Sequence, residues 1–309
     1  MIEIVKAPPF ATVQDFGFPR GRAWGLPPAG AMDPASLSAA NAMVHNPPGA
    51  AAIEWALGPL TVRCDRETVL GALRVAEITV GTRAVNPAEP VIAPAQIPVT
   101  LVPHPNVVWS YLAVQGGLDL PIVLGSRSTY VPGGLGGVRG RKLQPADRLP
   151  IGSGAGPPRG VPAELLFDSA VPGDDLVVRV IRGPQWERFD AEEREGFFGS
   201  RYTVDRASDR SGYRLTGCPV IPMELATLPS EAACPGAVQI PDNGQPIVLM
   251  PDGPTVGGYP KLAVVAHRDL GRLAQCRPGR VVRFWEVPVD TARAGLRNDD
   301  TIRLEAARS

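Results

Sequence analysis

The sequence has no run of about 18 apolar residues such as a membrane helix needs. Its start, MIEIVKAPPF, lacks the apolar stretch of a signal segment. It also lacks an excess of either charge: 31 basic residues balance 31 acidic ones, with no block of like sign. A nucleic-acid binder carries a basic footprint. Neither nucleic acid nor a membrane is therefore expected as a partner, and a cytoplasmic chain that meets a small molecule or another protein is expected. Cysteine is sparse. Cys64, Cys218, Cys234 and Cys276 lie far apart without CxxC spacing, the pattern of free thiols. His45, His104 and His267 are isolated, with no paired-ligand spacing, so no metal site is expected. The P-loop, the GxGxxG dinucleotide turn and the GxSxG elbow are all missing. None of the five methionines begins a biotin-carrying Met-Lys-Met. Any ATP or biotin must be bound or carried elsewhere.

What the chain does have is turns. Glycine (34) and proline (35) make up about 22% of 309 residues, against about 12% in average usage. Between the turns lie short β-branched runs: IEIVKA, LTVRC, ETVLGAL, AEITVG, IPVTLV, VVWSYLAVQG, DLVVRVIRG, PIVLM, KLAVVAH and RVVRFWEV. These read as strands. Two segments read as helix. ASLSAANAMV follows Asp33 as N-cap and Pro34 at the first helical position, and DLGRLAQC follows Asp269 as cap. GSGAGPPRGVPAELLFDSAVPG, residues 152–173, reads as a linker. Weak echoes across it, such as YLAVQGGLDLP and KLAVVAHRDLG, suggest a duplicated lobe. The division expected is a first lobe over 1–160, a second over 161–290 and a tail over 291–309.

Four polar stretches are candidates for chemistry. TVQDFGFPRGRAWGLPPAGAMD (12–33) interleaves Asp15 with glycines, which suits either a surface loop or a loop that meets a ligand. VLGSRSTYVPGGLGGVRGRKL (123–143) sets Arg127 among hydroxyls, a grip for a carboxylate or phosphate. Its Gly133, Gly134, Gly136 and Gly137 would form an anion nest or a purely structural loop. ASDRSGYRLTG (207–217) offers Asp209 and Arg210, as a mutual ion pair or as base and anion binder. MPDGPTVGGYPK (250–261) places Gly257, Gly258, Tyr259 and Lys261 at the mouth of the apolar LAVVA. There the glycines are expected to form a tight turn, with Tyr259 and Lys261 at a pocket rim. Strand alternation would then send Lys261 and Ala263 to one face and Leu262 and Val264 to the core. A snorkelling lysine at a plain hairpin is the alternative.

In order along the chain, VQDFGFP, GLPPAGAMD, NPPGAAAIE, YLAVQGGLDLP, VLGSRST, SDRSGYRL, PGAVQIPDNGQPIVLM and PTVGGYPK resemble the biotin-dependent carboxyltransferase family. That family includes the C component of bacterial ATP-dependent 5-oxoprolinase and part of the urea carboxylase carboxyltransferase domain. It also includes proteins labelled allophanate hydrolase subunit 2. The chain departs from the family pattern at Val256, Ser211 and Ala232. The resemblance implies a mainly β fold of two cyclophilin-like β-barrel lobes with a few short helices. It implies direct association with a subunit-B-like protein and work with a subunit-A-like protein, converting 5-oxoproline to glutamate with ATP.

Lys261, Asp209 and Asp15 are the expected catalytic residues. Arg127, Arg210, Gly257, Gly258 and Tyr259 are the expected substrate contacts. Two alternatives stand beside this reading. One is a carboxyltransferase component acting on urea or a related amide, with biotin on a separate carrier. The other is a non-catalytic partner that antagonises a histidine-kinase inhibitor. An amidase-type serine relay is not expected, because GSRST lacks the lysine-serine pair that it needs.

Overall fold

All ten apolar runs read from the sequence contain strands. The computed structural model describes residues 1–153, 175–223 and 228–294. Most of the 152–173 linker, the 160/161 boundary and residues 295–309 of the tail lie outside them. The described residues group into two units. One holds 1–20 and 29–153, the other 21–28, 175–223 and 228–294. The segment Gly21–Pro28 thus belongs with the second unit.

The first unit contains β1 (Ile2–Lys6), β2 (Phe10–Gln14), β3 (Ala52–Ala56), β4 (Leu60–Cys64), β5 (Thr68–Leu73), β6 (Val75–Val80), β7 (Arg83–Val85), β8 (Val91–Ala93), β9 (Pro98–Pro103), β10 (Ser110–Val114) and β11 (Arg148–Leu149). They form two antiparallel sheets, ordered β11-β1-β4-β9-β6-β7 and β2-β3-β10-β5-β8. Alternation in β1 and β4 turns Ile2, Ile4, Leu60 and Val62 inward, where they meet Val13, Ile53, Trp55 and Leu112 of the other sheet in one core. Each such side chain contributes about 1.5–3 kcal/mol by leaving water. The helix α1 (Pro34–Met43) covers β5 and β10. As expected, Asp33 caps it, accepting from Ser36 N at 3.1 Å, with Pro34 at the first position.

The second unit is a closed barrel. Its strands are β12 (Leu176–Arg182), β13 (Tyr202–Val204), β14 (Gly212–Thr216), β16 (Ala237–Gln239), β17 (Ile247–Leu249), β19 (Lys261–Val265) and β20 (Val281–Glu286). The parallel pair β12–β20 closes the ring, with Val178 opposite Phe284. β15 (Glu231–Ala232) and β18 (Val256–Gly257) form a separate two-stranded ribbon.

Helix α2 (Ala191–Gly199) is capped by Asp190, and a short α4 (Val289–Ala294) follows β20. α3 (His267–Ala274) corrects the sequence reading. Its N-cap is Ala266, and Asp269 lies inside the first turn. The Asp269 carboxylate is drawn away from capping by Arg179, whose Nε and Nη2 each donate at 2.8 Å. The echoed strands β10 and β19 both sit between two neighbours in their sheets. Only β19 leads into a helix.

Among the described residues, no helix is long and apolar enough to cross a membrane.

Candidate functional site

Lys261 opens β19 opposite Gln239 of β16. The residue is 3% exposed, and an ammonium so placed needs an anion to offset its lost hydration. Glu231 supplies one, its Oε1 2.5 Å from Lys261 Nζ. Gln185, in the turn after β12, ties both together. Its Oε1 accepts the Lys261 amide at 3.0 Å and its Nε2 donates to the same Glu231 oxygen at 2.5 Å. Its own amide donates to Lys261 O at 3.3 Å. The next residue, Trp186, lies between the guanidiniums of Arg182 and Arg194, at 4.7 and 4.8 Å from its ring, which anchors the turn. The Lys261 hydrogen bond, and then its charge, hold the Glu231 carboxyl below the usual range.

Two expectations for this stretch are corrected. Gly257 does not make a tight turn with Gly258. It is the second residue of β18, opposite Glu231. Alternation also fails in β19. The register runs Val238 with Ala263 and Gln239 with Lys261, so Leu262 is the extra residue of a bulge. Lys261, Leu262 and Ala263 are consequently all buried, while Val264 is only partly so. Tyr259 is exposed, and Gly258 is partly exposed beside it.

Arg210 and Asp252 form a buried two-pronged ion pair, Nε to Oδ2 at 2.8 Å and Nη2 to Oδ1 at 2.9 Å. Asp209 is exposed, and its Oδ1 accepts the amides of Ser211 and Gly212 at 2.8 and 3.1 Å. That geometry shapes the bend into β14.

In the first unit, Asp15 and Arg127 come together across 112 residues. Asp15 Oδ2 accepts the Arg127 amide at 2.7 Å. Its Oδ1 accepts Ser126 Oγ, Ser128 Oγ and Gly17 N at 2.5, 2.6 and 2.7 Å. Both serine hydroxyls are thereby committed to a carboxylate. The Arg127 side chain turns elsewhere, to Leu120 O and Asp119 Oδ1, each at 2.8 Å.

The glycine segment beyond is no open nest. The amides of Gly134 and Gly137 already donate to Val131 O and Arg127 O. Gly136, at φ +66, would press a Cβ 2.0 Å from Ser128 O, and Gly137 one 2.0 Å from Thr129 Oγ1, so these two glycines serve close packing. Among the described residues, no group of three or more His, Cys, Asp or Glu side chains could hold a metal ion.

Sequence reasoning missed the partners. Gln185 carries no motif of its own, and Glu231, beside the family-pattern departure at Ala232, carries nothing that points to Lys261. A buried network in the first unit was equally silent. Glu54 Oε2 accepts Met32 N at 2.7 Å and Tyr111 Oη at 2.8 Å, and Tyr111 Oη accepts Asp33 N at 2.8 Å. Burial, with the Glu54 charge second, pushes the Tyr111 hydroxyl well above its ordinary value. The network gives GAMD and AIE a structural reason to occur together: they bond to each other.

A two-sheet unit and a closed seven-stranded barrel define a mainly β protein. The carboxyltransferase domain model, subdomains A and B, matches residues 24–286, and the chain belongs to that family.

It is 36% identical to the C component of 5-oxoprolinase from Escherichia coli, over 94% of this chain and 93% of that one. It is 32% identical to the corresponding 5-oxoprolinase component of Haemophilus influenzae, over 100% and 98%. Among solved structures it is similar to the urea amidolyase of K. lactis, at 27% identity and a TM-score of 0.90. That match takes in 97% of this chain and 20% of the larger protein.

Proposed function

We propose that this chain is the C component of an ATP-dependent 5-oxoprolinase, which opens 5-oxo-L-proline to L-glutamate together with subunit-B-like and subunit-A-like proteins. The observation that carries this reading is the near end-to-end similarity to two proteins named as that component of 5-oxoprolinase. The similarity to urea amidolyase covers a fifth of that protein. It favours urea-type chemistry with a biotin carrier only as a second reading.

Lactam opening adds water to the ring carbonyl and breaks its C–N bond, with ATP supplying the driving force in the complex. Negative charge grows on the carbonyl oxygen as the bond is attacked. A fixed cation in a dry setting stabilises that charge far better than one in water. Lys261 suits the role, because Glu231 and Gln185 hold it in one place. Asp15 and Arg210 act through position, Asp15 by tying the Ser126–Ser128 loop and Arg210 by bracing Asp252. Asp209 shapes the bend before β14, Arg127 braces its own loop through Leu120 O and Asp119, and Gly257, Gly258 and Tyr259 are assigned to substrate contact.

The test is to co-purify the chain with its B-like and A-like subunits and measure ATP-dependent glutamate release from 5-oxoproline. Release by the complex and none by the chain alone is expected. Full turnover by the isolated chain, or none by any combination, would overturn the reading.

A further inference from the structure

Two donors converge on a single oxygen of Glu231. Lys261 Nζ and Gln185 Nε2 each lie 2.5 Å from its Oε1. The Gln185 amide is held in this orientation because its own Oε1 accepts the Lys261 N–H at 3.0 Å. Fixed donors aimed at one point make a place for an anionic oxygen. Arg188 adds a further positive charge near the carboxylate.

The donors and the acceptor are held with unequal firmness. Lys261 sits in the barrel strand β19 with its side chain 4% exposed, whereas that of Glu231 is 42% exposed. Glu231 belongs to β15, which pairs only with β18 and stands outside the barrel sheet. Both of its hydrogen bonds fall on Oε1, and among the described residues none reaches Oε2. Rotation of the glutamate side chain therefore carries a carboxylate that already meets water further into it. The buried ammonium stays behind and needs another anion.

We infer that Glu231 is a displaceable stand-in for the ligand: its carboxylate holds, in the resting chain, the position that the γ-carboxylate of L-glutamate takes on Lys261 and Gln185. Naming glutamate rests on the function proposed above, while the exchange of one carboxylate for another rests on the geometry. Opening of the lactam turns its ring carbonyl into that γ-carboxylate, carried on two methylenes. The Glu231 side chain presents the same group. No separate cavity is required, because the incoming carboxylate fills the place that Glu231 gives up. Return of Glu231 then expels the product. A tethered carboxylate competes at an effective concentration on the order of millimolar, which lowers the apparent affinity for any free one.

The experiment uses the full chain and the assembled complex, with L-glutamate, L-glutamine and propionate as probes. Glu231→Gln keeps the size and removes the charge, and Glu231→Ala clears the position. L-glutamate and propionate should raise the melting temperature of both variants more than that of the wild type. L-glutamine, which lacks the charge, should protect neither, and a Lys261→Ala chain should respond to none of the three. In the complex, Glu231→Gln should lower the inhibition constant of L-glutamate about tenfold or more. One equivalent of glutamate should form on the enzyme in a burst before slower release. A side chain that only props Lys261 would leave the inhibition constant unchanged and show no burst.

Folded Glu231 variants that bind L-glutamate and propionate no better than the wild type would overturn the inference, as would equal protection by glutamate and glutamine. Should no combination of subunits release glutamate while the variants gain Lys261-dependent binding of propionate, the 5-oxoprolinase reading falls and the carboxylate site stands. Glutamate release by the complex, with product inhibition unaltered in Glu231→Gln, would do the reverse.

Discussion

Lys261 Nζ and Glu231 Oε1 lie 2.5 Å apart, yet the two residues meet the solvent very differently: the lysine side chain is 4% exposed and the glutamate 42%. This asymmetry sets which partner is dispensable. Glu231→Ala strands a buried ammonium and should cost about 3 kcal/mol. Lys261→Ala leaves a carboxylate that reaches water and should cost about 1 kcal/mol. Urea unfolding of the two variants checks the order, and equal costs would count against it.

The same lysine carries the activity proposed for the complex. Lys261→Ala should lower glutamate release by about 100-fold in a folded chain, as expected for loss of a charge-stabilising group. Lys261→Arg should restore only part, because a forked guanidinium does not reproduce a compact ammonium. Near-normal turnover by the Ala variant would make the pair purely structural.

Arg210 and Asp252 should behave as a stability element. Asp252→Ala leaves a buried guanidinium without its carboxylate and is expected to cost about 3–5 kcal/mol. The double replacement Arg210→Met with Asp252→Leu should recover much of that loss. A double-mutant cycle in urea measures the coupling, and additive costs would show that the two side chains act independently.

Asp15→Asn should lower the melting temperature by weakening bonds from Ser126, Arg127, Ser128 and Gly17, with a cost of about 2 kcal/mol. Below its own melting transition the variant should retain most of the complex's activity, since the carboxylate is saturated by the loop it holds. Loss of turnover in a fully folded Asp15→Asn chain would instead identify Asp15 as a base.

Acid should weaken the packing of α3 against β12. Burial pushes the Asp269 carboxyl up, but hydrogen bonds from the Arg179 side chain and amide, with Arg272 behind them, outweigh it. They hold the group below its ordinary value of 3.8. A lowered folded value stabilises fully above 3.8, and that contribution is lost as pH falls below 3.8 through the folded value. Asp269→Asn should therefore be less stable than the wild type at neutral pH and show a flatter decline below about pH 4. Parallel acid limbs for the two proteins would rule this out.

Much of the architecture was legible in advance because it is local. The ten apolar runs became strands, and Asp33-Pro34 started a helix, since alternation and capping act over a few residues. Strands with weak patterns escaped notice. AIEWA in β3 is buried at every position, so it shows no alternation to read. The bulge at Leu262 was also hidden. An extra residue in a strand is decided by its neighbours' register, and nothing in KLAVV announces it.

The amino-acid order by itself determined a β-rich chain broken by glycine and proline, a capped α1, and a lysine at the head of an apolar strand. The partners of its charges were decided only in three dimensions. Glu231 reaches Lys261 from 30 residues away, and Ser126 and Ser128 reach Asp15 from 111 and 113. Closure of the barrel sets Gln239 opposite Lys261, and pairing of β15 with β18 sets Glu231 opposite Gly257. Backbone hydrogen bonding between distant strands sets that register, and residue type alone carries no record of which strand will lie alongside.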